Sequence, residues 1–449
     1  MKAGQLPRTD VRKLRADSLA GDAHAARRLL AHSVASGHDR LALRRYVIAR
    51  LLGAERLDEF GPFCTGVAAR LAPSRLRSIV RDLARAHRRE ADIEALLAEL
   101  VPQPAPESPS PLLSTGRSYR CAVSGVAPHF AAPPVFEGAR SAVLGRATLG
   151  AGAVIGAGSV IRADGHFVTI GDDFVLGVQA TVHIAHDVYP TIVGNGVAVG
   201  RNAIVHACTV GDRCAIGDNA VVLDGSVVED DVLIERDSVV FPRSRLEAGT
   251  VYAGSPARPA RKLAPGELAR AVAAIREETM RHPGEESAAA GSGAQGGFVA
   301  ATATVEGDVA LEPGASVFFG CTVAAGDGRI VIGANTNVQD NSVLSGDVII
   351  GADTTIGHNV TMEPCTVGAN ALIGMGAVLA AGTRVEDDVL VAAGSLTTPG
   401  QVLESGWLWG GRPAVRMKPL DEARRAMMRA TITQYCLYAE QFRQPGGQG

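Results

Sequence analysis

The chain has 449 residues, 46% of them apolar but only 4% aromatic, with 52 glycines and a net charge of −3. That charge gives no electrostatic grip on nucleic acid or an anionic membrane, no run of about 18 apolar residues is present to span a bilayer, and the seven scattered cysteines, without a C-x-x-C pair, make neither a disulfide framework nor a zinc ribbon. Such a length holds two or three domains, and many glycines with few aromatics suit a fold of repeated small turns.

The charged start MKAGQLPRTDVRKLRAD lacks the apolar core of a signal peptide, so a cytoplasmic protein is expected. Residues 1–101 read as a helical domain. In LALRRYVIARLLG, Leu41, Tyr46, Val47 and Leu51 line one face, with Arg44, Arg45 and Arg50 on the other. SRLRSIVRDLARAHRREADIEALLAEL repeats that pattern with Ser74 as N-cap. The prolines of PQPAPESPSPLLSTG (102–116) mark a linker. Residues 117–281 and 298–449 then form two related domains, joined by the flexible HPGEESAAAGSGAQGG (282–297).

Their relation lies in the spacing of aliphatics. Val193, Val199 and Val205 are six apart; a five-residue step leads to Val210, after which Ile216, Val222, Val228, Ile234 and Val240 resume at six. Ile350, Ile356 and Met362 begin the same series, a five-residue step again leads to Val367, and Ile373, Leu379, Val385 and Val391 follow. The offset is 157 throughout (193 to 350, 234 to 391), which marks an internal duplication. A six-residue apolar period is neither helical nor alternating. It fits a β-helix with three short strands per coil, one inward aliphatic per strand, and Gly at the corner, as in the IG pairs at 155–156, 216–217 and 356–357. Such prisms are usually left-handed, an exception to the crossover rule. Similar tails, VYAGSPARPARKL and LWGGRPAVRMKPL, each precede a helical segment. The expected fold is mainly β: two tandem left-handed parallel β-helix domains, each with a C-terminal helix, behind an N-terminal α-helical domain.

GRNAIVHAC (200–208) returns as GHNVTMEPC (357–365), with the single histidine of each copy placed where the other lacks it. These features, with the Arg-x-Asp pattern, NVQD and the G-x-PA tail, resemble the γ-class carbonic anhydrases across roughly residues 135–280 and 299–442, and not across 1–116. The resemblance implies three histidines on one metal between two prisms of a trimer, the first and third from one prism and the second from its neighbour. In the first prism the twelve-residue step from Gly171 lands on His183, the second position is Arg201 and the third is His206. The same step from Gly333 lands on Ser345, followed by His358 and Glu363. One complete site of His183, His206 and His358 is therefore implied, holding Zn2+, or Fe2+ or Co2+. The opposite interface, with Ser345, Glu363 and Arg201, would be dead.

The same resemblance implies a divided catalytic set. Arg162 and Asp164 match Arg-x-Asp, where Gly177 and Val178 replace the family's Gln-Asp; Gln339 and Asp340 keep that pair, with Asp327, while the arginine position reads Ala324 or Ala325. Gln339 would hydrogen-bond the water on the metal, Arg162 and its carboxylate partners would brace the interface, and Tyr435 would sit near the metal. The implied activity is addition of metal-bound hydroxide to CO2 or a related small electrophilic carbon, as hydratase or hydrolase. Five extra residues within 184–192 (IAHDVYPTI), beside His183, suit a substrate larger than CO2. Competing readings are an inactive scaffold subunit, with His183 and His206 as surface residues and Arg201 paired to Glu363, and a hexapeptide acyltransferase with a histidine base. His166 and His186 read as loop or rim residues, Cys208 and Cys365 as packing. The expected partners are a small-molecule substrate and other β-helix chains, as homo- or hetero-oligomer, with no nucleic acid or membrane.

Overall fold

The computed structural model describes residues 8–35, 39–55, 57, 60, 64, 67–68, 71, 73–100, 118–186, 188–284 and 296–443. The first linker, most of the second and the side chain of Ser74 lie outside them. The chain divides into two compact units, residues 1–108 with 165–167, and residues 109–164 with 168–449. Among the described residues no helix is long and apolar enough to cross a membrane.

The first unit contains α1 (Arg8–Leu19), α2 (Ala23–Ala35), α3 (Asp39–Leu51), α4 (Pro73–Ala86) and α5 (Ile93–Leu100). Leu30, Leu43, Tyr46, Val47, Leu76 and Leu97 share one core. On α3, Tyr46, Val47 and Leu51 face inward as the pattern predicts, but Leu41 is 42% exposed and Leu43 takes its place. The helical phase explains this: Leu43 falls three and four residues before Tyr46 and Val47, on their face. Glu99 ties α5 to α3, accepting from the Tyr46 hydroxyl (2.5 Å) and from Arg50 (2.6 Å).

The second unit is built from two stacks of short parallel strands. In the first stack one sheet runs through Phe136–Glu137, Val154–Ile155, Val175–Leu176, Ala198–Val199, Ala215–Ile216, Leu233–Ile234 and Thr250–Ala253, each parallel to the next. In the second stack Phe298–Val299, Ser316–Val317, Asn337–Val338, Thr355–Ile356, Leu372–Ile373, Leu390–Val391 and Trp407–Gly410 do the same. The six-residue period is the reason: three hexapeptides close one coil, so Leu176, Val199, Ile216 and Ile234 stack directly on one another inside. Each such aliphatic contributes on the order of 1.5–3 kcal/mol by burial. A Cβ at the corner Gly177 would lie 2.6 Å from the carbonyl carbon of Gly200, so only glycine fits. Helix α6 (Glu267–Arg281) packs Val272 and Ile275 on Val154, Val175 and Ala198. Helix α7 (Glu422–Arg443) packs Met428 near Leu372 and Leu390, and its Tyr435, Tyr438 and Phe442 share a core with Cys121, Ala142 and Val160 of the first stack.

The two stacks meet corner to face. Asn341, Asn359, Gly376 and Gly394 of the second stack all have left-handed backbones (φ between 54 and 67°). Asn341 donates to the Thr181 hydroxyl (2.9 Å), and Asn359 donates to the Gln179 carbonyl and to Asn202 (both 2.7 Å). Gly376 and Gly394 lie against Val221 and Val239, where an added Cβ would come within 2.9 and 2.4 Å of a valine methyl. Polar corners at one end and bare glycines at the other let one coil of the first stack meet one coil of the second in step.

Candidate metal centre

That in-step junction brings the divided histidines together. Strands Thr181–His183 and Ile204–His206 are parallel neighbours with His183 directly opposite His206, so both imidazoles leave one face of the first stack. His358 follows the corner Gly357 after strand Thr355–Ile356 and enters from the second stack. The ring centroids are 4.8 Å (His183–His358), 5.2 Å (His183–His206) and 5.7 Å (His206–His358) apart. One ring nitrogen from each lies within 4.8 Å of the others. All three rings are buried, at 3%, 6% and 0% exposure, so they are not surface histidines.

Each imidazole has a carboxylate behind it. His183 Nε2 lies 3.1 Å from Asp164 Oδ1 and His206 Nδ1 2.6 Å from Asp224 Oδ1. His358 Nδ1 approaches Asp340 Oδ2 at 3.1 Å without hydrogen-bond geometry, and its Nε2 is 3.2 Å from the Tyr435 hydroxyl. His183 Nδ1 is buried with no hydrogen-bond partner. The fully buried Arg162 spans the junction. Its Nη1 donates to Asp164 (3.0 Å), its Nη2 donates to the Tyr435 hydroxyl (2.8 Å), and its Nε lies 3.0 Å from Asp340. Its guanidinium also lies 5.0 Å from the ring centroid of Phe318 and 5.2 Å from that of Tyr435.

The electrostatics favour neutral His183 and His358. Burial pushes His183 far below the ordinary histidine value, with Arg162 and the other two histidines adding to it. Burial likewise lowers His358 to about 4, against the opposing pull of Asp340. For Asp340, burial acts upward, but Arg162 and His358 outweigh it and hold the carboxyl low. Burial raises the Tyr435 phenol, keeping it protonated. Three buried imidazoles, two of them with an orphaned ring nitrogen, are the donor set that a divalent ion of zinc type accepts.

A cavity of about 570 Å³ opens onto the cluster, lined by all three histidines, Asp224, Gln339 and Tyr435. Gln339 donates to Asn337 Oδ1 (3.2 Å). Arg162 and Asp164 stand behind the histidines and do not line the cavity. Two residues of this region escaped the sequence reading. Asp224 sits eighteen residues, one coil, after His206, so the coil period itself could have found it. Tyr438 accepts or donates a 2.6 Å hydrogen bond with His186, which is a rim residue as expected.

The other half of the pattern stays apart within one chain: Arg201 bonds Glu278 of α6 (2.7 Å), while Glu363 accepts from the Ala381 amide (2.8 Å). Ser345 and Glu363 are exposed, as is Asp327. His166 accepts from the Phe167 amide (2.9 Å) and is no member of the cluster. Cys208 and Cys365 are buried, and burial raises both thiols, Cys365 to about 12, so they pack rather than react.

Fold and cluster together define a hexapeptide-repeat β-helix protein with a histidine site at the junction of two prisms. Models of the "bacterial transferase hexapeptide (six repeats)" and of the "hexapeptide repeat of succinyl-transferase" match residues 329–363, and 208–240, 347–381 and 364–398, respectively. The chain is 39% identical over 153 residues to gamma carbonic anhydrase 1, mitochondrial, of Arabidopsis thaliana, covering 32% of this chain and 56% of that one. It is 40% identical over 135 residues to gamma carbonic anhydrase 2, mitochondrial, of the same plant (28% and 49%). It is also 36% identical over 159 residues to Protein YrdA of Escherichia coli K12, covering 33% of this chain and 86% of YrdA. The chain belongs to the γ-carbonic-anhydrase-like family of left-handed β-helix proteins. Its matches span only about half the length of the two plant relatives.

Proposed function

We propose that this chain is a carbonic-anhydrase-type metalloenzyme that adds water to CO2 or a related small electrophilic carbon. It would use one metal site shared by its two prisms. The buried cluster of His183, His206 and His358 at their junction carries this reading. His183, His206 and His358 would hold a divalent ion, Zn2+ or else Fe2+ or Co2+, which would lower the pKa of water to about 7, a magnitude known from carbonic anhydrases, and so make it a nucleophile at neutral pH. The carboxylates of Asp164 and Asp224 fix the rings of His183 and His206 and make them better donors, and Asp340 lies 3.1 Å behind His358 Nδ1. Arg162 holds the Tyr435 hydroxyl beside His358 by donating to its oxygen, which leaves the phenolic proton free to point toward the reacting oxygen. Gln339, on the cavity wall, offers an amide to orient the substrate. Hydration forms one C–O bond, breaks one C=O π bond and releases one proton to buffer.

Protein purified without chelator is expected to carry about one metal equivalent per chain by mass spectrometry and to accelerate CO2 hydration in stopped-flow assays. Dipicolinate should remove both, and zinc should restore them. A chain free of metal after expression in zinc-supplemented medium would sink the reading in favour of a scaffold.

We infer in addition that the paired prisms associate with a further β-helix. The first stack meets its neighbour through Thr181, Ile204, Val221 and Val239; the equivalent residues of the second stack are Val343, Thr361, Val378 and Leu396. Those four are partly or largely exposed, Leu396 at 39%. Light scattering is expected to give a mass above that of one chain, falling on Leu396→Glu; a mass of one chain at all concentrations would refute the association.

A further inference from the structure

The cavity above the histidines is far larger than CO2 needs. At about 570 Å³ it falls in the range that holds organic ligands of ten or more heavy atoms. Its shape follows from the coil. Thr355, Leu372 and Leu390 are register partners on successive coils, so the wall runs two coil spacings away from the His358 coil, roughly 10 Å at about 4.8 Å per step. That wall is mostly apolar: Leu372, Met375 and Leu390 come from the second stack and Met427 from α7, with Thr355, Thr431 and Gln434 as its polar members. The opposite side is Ile184 and Val188, supplied by the segment in which the first stack carries its five extra residues. Val188 and Met427 are 64% and 46% exposed, two apolar side chains held at the lip of one cavity from different elements. At the inner end lie Asp224, Gln339 and the histidines.

We propose that this groove binds an apolar acyl chain, and that the chain's own substrate is a carboxylic ester whose acyl part has roughly six to eight carbons, the length two coil spacings accommodate. The assignment rests on the three-histidine centre being a water-activating site. Water adds to the acyl carbon, the C–O bond to the alcohol breaks, one proton of the water leaves on the alcohol and the other is released to buffer, giving a carboxylate; no oxidant or reductant takes part. The carbonyl lies at the polar inner end and the alkyl chain runs outward along Leu372 and Leu390.

Two series test this on the full-length, zinc-loaded protein. The first is kcat/KM for p-nitrophenyl esters from acetate to decanoate, with CO2 hydration measured in parallel. Each buried methylene is worth up to about fourfold, so a rise of at least tenfold from acetate to hexanoate, levelling beyond octanoate, is expected. The second is calorimetric binding of acetate, butyrate and hexanoate, which needs no turnover; hexanoate is expected to bind at least tenfold more tightly than acetate. Leu372→Gln, and Met427→Glu on the exposed face of α7 as the variant safest for folding, should each collapse the hexanoyl-to-acetyl ratio. A flat series in both assays with CO2 hydration intact overturns the acyl groove and leaves the carbonic-anhydrase reading standing. Chain-length-dependent binding without CO2 or ester turnover supports the groove and removes that reading. Flat binding without turnover overturns both.

Discussion

His358→Ala is expected to abolish metal binding by the entire chain and to lower CO2 hydration by roughly 10³-fold or more. Loss of a carboxylate behind a ligand typically costs 10–100-fold in metal affinity, and loss of the ligand itself exceeds that. The substitution removes the second stack's single contribution to the cluster while His183 and His206, on the first stack, keep their places. Two imidazoles with Asp164 and Asp224 behind them remain, a set with one donor too few for zinc. Arg201→Ala provides the matched comparison. Arg201 occupies the equivalent repeat position on the first stack but pairs with Glu278 on α6, so its loss should leave metal content and turnover within twofold of the parent. Elemental analysis of the two variants side by side decides the matter. Equal metal in His358→Ala and the parent would place the ion elsewhere and refute the shared site.

How much of this was legible in the sequence depends on which physical rule wrote it. The six-residue period and the 157-residue offset come from coil closure, a local constraint, and the stacked Leu176, Val199, Ile216 and Ile234 follow it. His206 and His358 were legible because the two copies can be laid on one another, so an absence in one points to a presence in the other, whereas His183 followed from the family resemblance. Asp224 was missed although it obeys the same coil period, because a carboxylate one coil from a histidine has no signature of its own. Leu41 was misplaced because a single apolar residue at a helix start satisfies several phases at once. The partner Arg201 finds within the chain was not legible, because aligning two repeats says which positions correspond but not that α6 folds back to offer Glu278. The apolar groove was foreshadowed only by its five inserted residues; Met427 is distant in sequence and joins the wall through the packing of α7.

Arg162→Met is expected to destabilise the two-stack unit by about 3–5 kcal/mol, the usual result of leaving buried charge uncompensated. Arg162 has no exposed surface, and it is the cation lying between Asp164 of its own stack and Asp340 of the other. Methionine keeps much of the stem's bulk against Phe318 and Tyr435 but leaves two carboxylates facing each other in a dry site. Because the ion pair crosses the junction, the cost should appear chiefly as separation of the stacks, with weaker protection of the amides of Asn341 and Asn359 in hydrogen exchange. Neutralising the carboxylates as well separates the charge effect from simple loss of packing. In Arg162→Met/Asp164→Asn/Asp340→Asn the buried charge is gone, and replacing a complete buried ion cluster is often close to neutral, so most of the lost stability should return. Urea unfolding of the single and triple variants measures the difference. A single variant as stable as the parent would show that the Arg162 cluster does not hold the two prisms together. A triple variant no better than the single would trace the damage to packing, and the charge argument would fail.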